Sequence, residues 1–86
     1  MAKGSWTGEA ASTELIEADA HRGLVVIQHT NAIVAALGIG EAAVAGKGLQ
    51  LLVTGDTVIL TGEQSRRAIY VLGNGATGTY QDGYAA

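Results

Sequence analysis

From Gly23 to Gly75 the chain alternates short apolar runs with Gly, Asn, Asp and Thr. Runs of this length, bounded by turn residues, predict short and largely buried β-strands. A first strand is expected over residues 12–17, at an edge, where Glu14 and Glu17 would discourage unwanted pairing. Residues 18–23 read as a turn. Residues 24–29 form the clearest strand, with Leu24, Val25, Val26 and Ile27 in a row. Such a run predicts a central strand buried on both faces. Asn31 predicts a tight turn and a hairpin to the next run, because Asn tolerates left-handed backbone angles.

Residues 33–37 fit a strand or the start of an Ala-rich helix reaching Ala45. Gly38 and Gly40 favour the strand, since each costs about 1 kcal/mol inside a helix. Residues 41–48 read as a loop with at most one helical turn. Further strands are expected over 49–53, 57–60 and 66–73, with a turn at Thr54-Gly55-Asp56 and a polar turn at 61–65. Asn74-Gly75 is the strongest two-residue hairpin signal in the chain, and 76–81 is its return strand. Residues 1–11 predict a flexible arm, or one that orders on a neighbouring subunit through Trp6. Residues 82–86 predict a tail. The fold class is all-β: a small antiparallel β-sandwich or partly closed barrel of about seven short strands.

Composition adds a need for partners. A chain of 86 residues makes one domain and buries only about 60–65% of its unfolded surface. Disulfides, metals or oligomerisation usually support so small a core. There are no cysteines, and His21 and His29 are too few for a metal site. Oligomerisation remains, with a trimer favoured. Charged residues are 15% of the chain against 48% hydrophobic, where about 25% charged is usual. Several strands therefore carry more apolar surface than one small core can hide. The net charge of −3 offers no electrostatic reason to bind nucleic acid. No apolar run is long enough for a transmembrane helix, and the first residues lack a signal-peptide apolar segment. The expectation is a protein made in a cytoplasm, with neither membrane nor nucleic acid as partner.

Candidate chemistry is sparse. Gly38-Ile39-Gly40-Glu41-Ala42-Ala43 matches G-x-G-x-x-A, yet Gly46 and Gly48 interrupt the helix that motif needs, and no βαβ unit follows. Gly46-Lys47-Gly48 lacks both the spacing and the hydroxyl of a phosphate-binding loop. Asp19 and His21 could be placed in a triad, but no nucleophile elbow supports one, and a solvated turn explains them. His29 ends a strand, where its ring is expected to bond a turn carbonyl. No catalytic, cofactor-binding or metal-binding residue is assigned, no cofactor is expected, and the chain reads as a non-enzyme. Trp6, Arg66, Arg67, Tyr80 and Tyr84 are the candidate interface residues. Arg66 and Arg67 would reach acids of a neighbour such as Glu14, Glu17 or Asp56, or pair within the chain. The aromatic residues, with Tyr70, could alternatively form a carbohydrate platform, although Tyr70 fits the core. A binding module recognising a host glycan or host surface through 41–48 and 61–65 is the alternative reading.

A resemblance points to one class. Ala18-Asp19-Ala20-His21-Arg22-Gly23-Leu24-Val25-Val26-Ile27-Gln28-His29 is followed by Ala36-Leu37-Gly38-Ile39-Gly40. Then Gly48-Leu49-Gln50-Leu51-Leu52 precedes Gly55-Asp56, and Ala68-Ile69-Tyr70-Val71-Leu72-Gly73 precedes Gly75-Ala76-Thr77-Gly78-Thr79. Over roughly residues 13–80 this order resembles the small β-sandwich modules of tailed-bacteriophage virion proteins: capsid decoration, head-fibre and tail-accessory proteins. Gln28-His29 and the lack of a proline before the leucine-rich strand depart from that pattern. The resemblance implies a virion component that associates with itself and with capsid or other virion proteins, and it carries over no functional residue.

Overall fold

The computed structural model describes residues 3–84 and, for Lys3 and Tyr84, the backbone alone. The outer ends of the expected arm and tail, residues 1–2 and 85–86, lie outside the described residues. Eight strands and one short helix follow in order: β1 (Lys3–Thr7), β2 (Thr13–Ile16), β3 (Arg22–His29), β4 (Ala35–Ile39), β5 (Leu49–Leu51), β6 (Thr57–Thr61), α1 (Gly62–Arg66), β7 (Ile69–Leu72) and β8 (Thr77–Tyr84). They form two four-stranded sheets, β1-β8-β3-β6 and β2-β7-β4-β5, with every pairing antiparallel. The two orders run in step. β1 and β2, β8 and β7, β3 and β4, and β6 and β5 hold the same places in their sheets. Only β4 and β5 are successive strands paired in one sheet; every other connection crosses the sandwich. Eight strands wound this way make a double Greek-key jelly roll.

Side-chain alternation assigns the faces. Val25 and Ile27 of β3, Leu60 of β6, Leu37 of β4, Leu51 of β5, and Ile69 and Val71 of β7 meet in the core with Trp6, Ile16 and Ala76. Without phenylalanine, the core gains bulk by leaning aromatic rings across glycines. Trp6, Gly78 and His29 share one cross-strand row. A Cβ on Gly78 would fall 2.3 Å from the Trp6 ring. The Tyr80 ring likewise lies against Gly4, where a Cβ would be 2.5 Å from it.

Several expectations are corrected. The N-terminal segment is no arm over residues 3–7: it forms β1, paired with β8. The C-terminal strand continues to Tyr84, through part of the expected tail. The polar turn after β6 is the five-residue helix α1. Neither Asn31 nor Asn74-Gly75 makes a hairpin, because the strands on either side lie in different sheets. A tight type I′ hairpin needs positive φ at both central residues, and among the described residues none other than glycine has positive φ. Gly75, with φ 87°, takes the third place of a four-residue turn closed by the Ala76 N–H donating to the Gly73 carbonyl at 3.0 Å, as in a type II turn. The Asn31 side chain bridges turns instead. Its amide donates to the Gly75 carbonyl at 2.9 Å, and its oxygen accepts from the Ile33 and Thr77 amides. β3 is central as expected, but only one of its faces is buried: Leu24 and Val26 are half-buried and Gln28 is exposed.

Candidate functional site

β3 carries a buried polar group at each end, and each ties an end of the sandwich shut. Arg22, at the start, is 2% exposed. Its Nε donates to the Ser65 carbonyl, Nη1 to that of Glu17 and Nη2 to that of Arg67, the last two at 3.0 Å. The Asp82 carboxylate lies 3.8 Å from Nη1. The Ser65 hydroxyl returns hydrogen bonds to the Arg22 and Gly62 carbonyls. A planar five-donor fork suits this convergence of carbonyls, which a lysine could not satisfy. The cluster fixes α1 against β3.

His29, at the other end, is 1% exposed and lies parallel to Trp6, with ring centroids 6.3 Å apart. Its Nδ1 is 3.0 Å from the Val53 carbonyl and its Nε2 is 2.6 Å from that of Ile33. The ring thus links the β3–β4 and β5–β6 connections, as expected of a strand-end histidine bonding turn carbonyls. The Trp6 indole N–H finds no partner among the described residues.

Neither group belongs to a reactive arrangement. Among the described residues no cluster of His, Asp or Glu could hold a metal ion. The Asp19 carboxylate accepts the His21 backbone N–H at 2.9 Å and so closes its own turn. Gly38-Ile39-Gly40 runs along β4 into the loop to β5, with no helix behind it.

The expected interface residues do not gather in one place. Trp6 is in the core, 6% exposed, held there because Gly78 admits its ring. Tyr80 is half-buried against the same core. Arg66 ends α1 and is exposed. Arg67 pairs with Glu63 at 2.5 Å, one helical turn away; that bond and the guanidinium charge hold the Glu63 carboxyl below its ordinary range. The pair is intrachain, one of the two alternatives the sequence left open. Tyr84 contributes backbone pairing to Arg22, and its side chain lies outside the described residues.

What the sequence reading missed is the difference between the two outer faces. On the second sheet, residues 40–48 fold over β4. A Cβ on Gly38 would fall 2.3 Å from the Glu41 carbonyl oxygen, so only glycine lets the loop lie so close. The Ala43 N–H donates to the Ser12 hydroxyl at 2.9 Å, which pins the loop to the chain beside β2. Ala43 and Ala36 are buried as a result. Among the described residues, no loop covers the first sheet in this way. Register puts Ser5, Thr79, Gln28 and Thr57 in one outward row, Gln81, Val26 and Ile59 in the next, and Gly83, Leu24 and Thr61 in a third. Lys3 pairs with Gln81 at the β1 end of the second row, and no other residue of these rows is charged. A hollow of about 470 Å³ lies over β3 and β8.

Exposed apolar residues concentrate beside that face. Leu49, Leu52, Val53 and Ile59, on β5, β6 and the turn between them, account for four of the seven large hydrophobic residues that stand exposed among the described residues. The turn is rigid. One oxygen of the Asp56 carboxylate accepts the Leu52 and Val53 amides at 2.8 and 3.0 Å, and the Val53 and Leu52 amides hold that carboxyl below its ordinary range. The uncharged run Thr57–Thr61 was the available signal. Comparison with family models, with curated proteins and with solved structures finds no match to this chain.

Proposed function

We propose that this chain is a structural protein of a bacteriophage virion that associates with itself and attaches to capsid or other virion proteins, without enzymatic activity. The observation that carries the reading is the concentration of exposed apolar side chains along the β5–β6 margin, around a turn that Asp56 closes, next to an open sheet with few charges. Support also comes from the segment order that resembles phage virion modules, and from a jelly-roll topology of the kind used by viral capsid domains. The topology alone selects no function, since lectins and cupins share it. In this reading the polar clusters at Arg22 and His29 are internal fastenings. They hold a small core rigid while the open sheet and its margin meet neighbours. Mass spectrometry of gradient-purified particles of the encoding phage tests the proposal. The chain is expected in a fixed ratio to the major capsid or tail protein, and its absence from the particles overturns the reading.

A further inference from the structure

The four sheet edges are not alike. β2 carries Glu14 and an irregular register between Glu14 and Ile16. β5 is three residues long. β1 begins at Lys3. Charge, irregularity and shortness each discourage edge-to-edge pairing. β6 has none of these protections. It is five residues long, Thr57-Val58-Ile59-Leu60-Thr61, with no charge and no proline. It pairs with β3 without a register shift. The side chain of Ile59 is 63% exposed.

The backbone of this edge has a definite polarity. The His29 N–H donates to the Asp56 carbonyl at 2.9 Å, which sets the alternation along the β3–β6 ladder. Val58 and Leu60 direct their backbone groups to β3, through Ile27 and Val25. Thr57, Ile59 and Thr61 direct theirs away from it. These outward residues are symmetric about Ile59, and so is the sequence: Thr57 mirrors Thr61, and Val58 mirrors Leu60.

We infer that β6 pairs with β6 of a second copy of this chain, antiparallel and two-fold about Ile59. In that register Ile59 faces Ile59, Thr57 faces Thr61, and Val58 faces Leu60, as an isologous interface requires. The two Ile59 residues exchange both backbone hydrogen bonds, and each Thr61 N–H donates to the partner's Thr57 carbonyl. The Thr61 carbonyl is kept for α1, whose N-cap it is. The first sheets join into one sheet of eight strands. The row Gln81, Val26, Ile59 then continues across the axis into its own copy. β5 lies at the same margin of the sandwich, so Leu49, Leu52 and Val53 flank the seam. A second copy is the occupant because a self-complementary strand fits its own image. A two-fold axis gives a dimer, which parts from the trimer favoured by the sequence reading.

The inference rests on the proposed self-association and can fail separately from it. The chain has no cysteine, so Ile59→Cys introduces a single thiol on the axis. Opposed residues of an antiparallel pair fall within disulfide reach. Oxidation is expected to convert most of this variant to a covalent dimer. Thr57→Cys is expected to stay uncrosslinked, because two Thr57 residues would lie about 14 Å apart along the strands. The double variant Thr57→Cys/Thr61→Cys is expected to crosslink again. Ile59→Lys, which opposes two like charges, is expected to leave a monomer with unchanged circular dichroism. A wild-type protein that sediments as a monomer at high micromolar concentration overturns both this pairing and the self-association proposed above. If the wild type is an oligomer but Thr57→Cys crosslinks as readily as Ile59→Cys, or neither variant crosslinks, the β6 pairing alone is overturned.

Discussion

The second sheet covers its own outer face, whereas the first leaves its outer face bare. Over β4 the loop of residues 40–48 lies so close that Gly38 can carry no side chain, and Ser12 fastens it through the Ala43 amide. Over β3 no described segment folds back, and the face holds a row of Thr, Ser and Gln and the half-buried Leu24 and Val26. Both sheets come from one chain with few charges, so scarcity of charge does not by itself explain the bare face. The contrast shows where a small jelly roll places its spare residues. One face is completed within the molecule and contributes to stability. The other is left open.

Substitutions on either face, and at the fastening they share, can undo this contrast. The largest effect is expected where both sheets depend on one group. Arg22→Ala removes a buried guanidinium from three carbonyls and from Asp82, and truncating such a buried partner costs about 3–5 kcal/mol. A lower urea midpoint reads this, and an unchanged midpoint would deny Arg22 its role as a fastening. Next comes Gly38→Val, which forces a branched side chain into the loop backbone. Overpacking of this kind costs about 1–3 kcal/mol, and faster amide exchange at Ala42 and Ala43 should accompany it. Ser12→Ala leaves the Ala43 amide without its acceptor and is expected to cost about 1 kcal/mol.

A smaller effect comes with acid. The folded-state Asp56 carboxyl is held below its ordinary 3.8 by the Val53 and Leu52 amides. Its contribution to the β5–β6 turn is therefore whole above that value and fades as pH falls through the lowered folded value. The protection of the Leu52 and Val53 amides, relative to their intrinsic exchange at each pH, should fall over that acidic window and stay level above it. Least of all for stability is Ile59→Lys. The side chain is exposed, so the isolated monomer should shift by no more than about 0.5 kcal/mol, while self-association is lost. A large destabilisation by Ile59→Lys, or none by Gly38→Val, would erase the distinction between the faces.

Much of the fold was legible because it rests on local pattern. The runs around Val25-Val26-Ile27, Val58-Ile59-Leu60 and Ile69-Tyr70-Val71 are strands within a few residues of their expected bounds. β1 was missed because Lys3-Gly4-Ser5-Trp6-Thr7 has no apolar alternation. It becomes a strand by pairing with β8, and Trp6 finds its place through Gly78, some seventy residues along the chain. Asn31 and Asn74 misled for a related reason. Their preference for hairpins is local, and the crossing between sheets is not. Trp6 was expected at an interface because it is a lone tryptophan in a polar segment, and burial by tertiary packing overrode that cue. Ile59, Leu52 and Val53 were read as strand residues. That they stand exposed follows from β5 and β6 being the last strands of their sheets, and strand order cannot be read from strand sequence.

Sedimentation equilibrium of the wild-type chain beside Ile59→Lys, from low to high micromolar concentration, bears hardest on the pairing of the β6 edge with a second copy. The wild type is expected to pass from monomer to dimer as concentration rises. The variant is expected to stay monomeric throughout, with the same thermal midpoint in dilute solution. Two monomers, or two identical association curves, would contradict the claim.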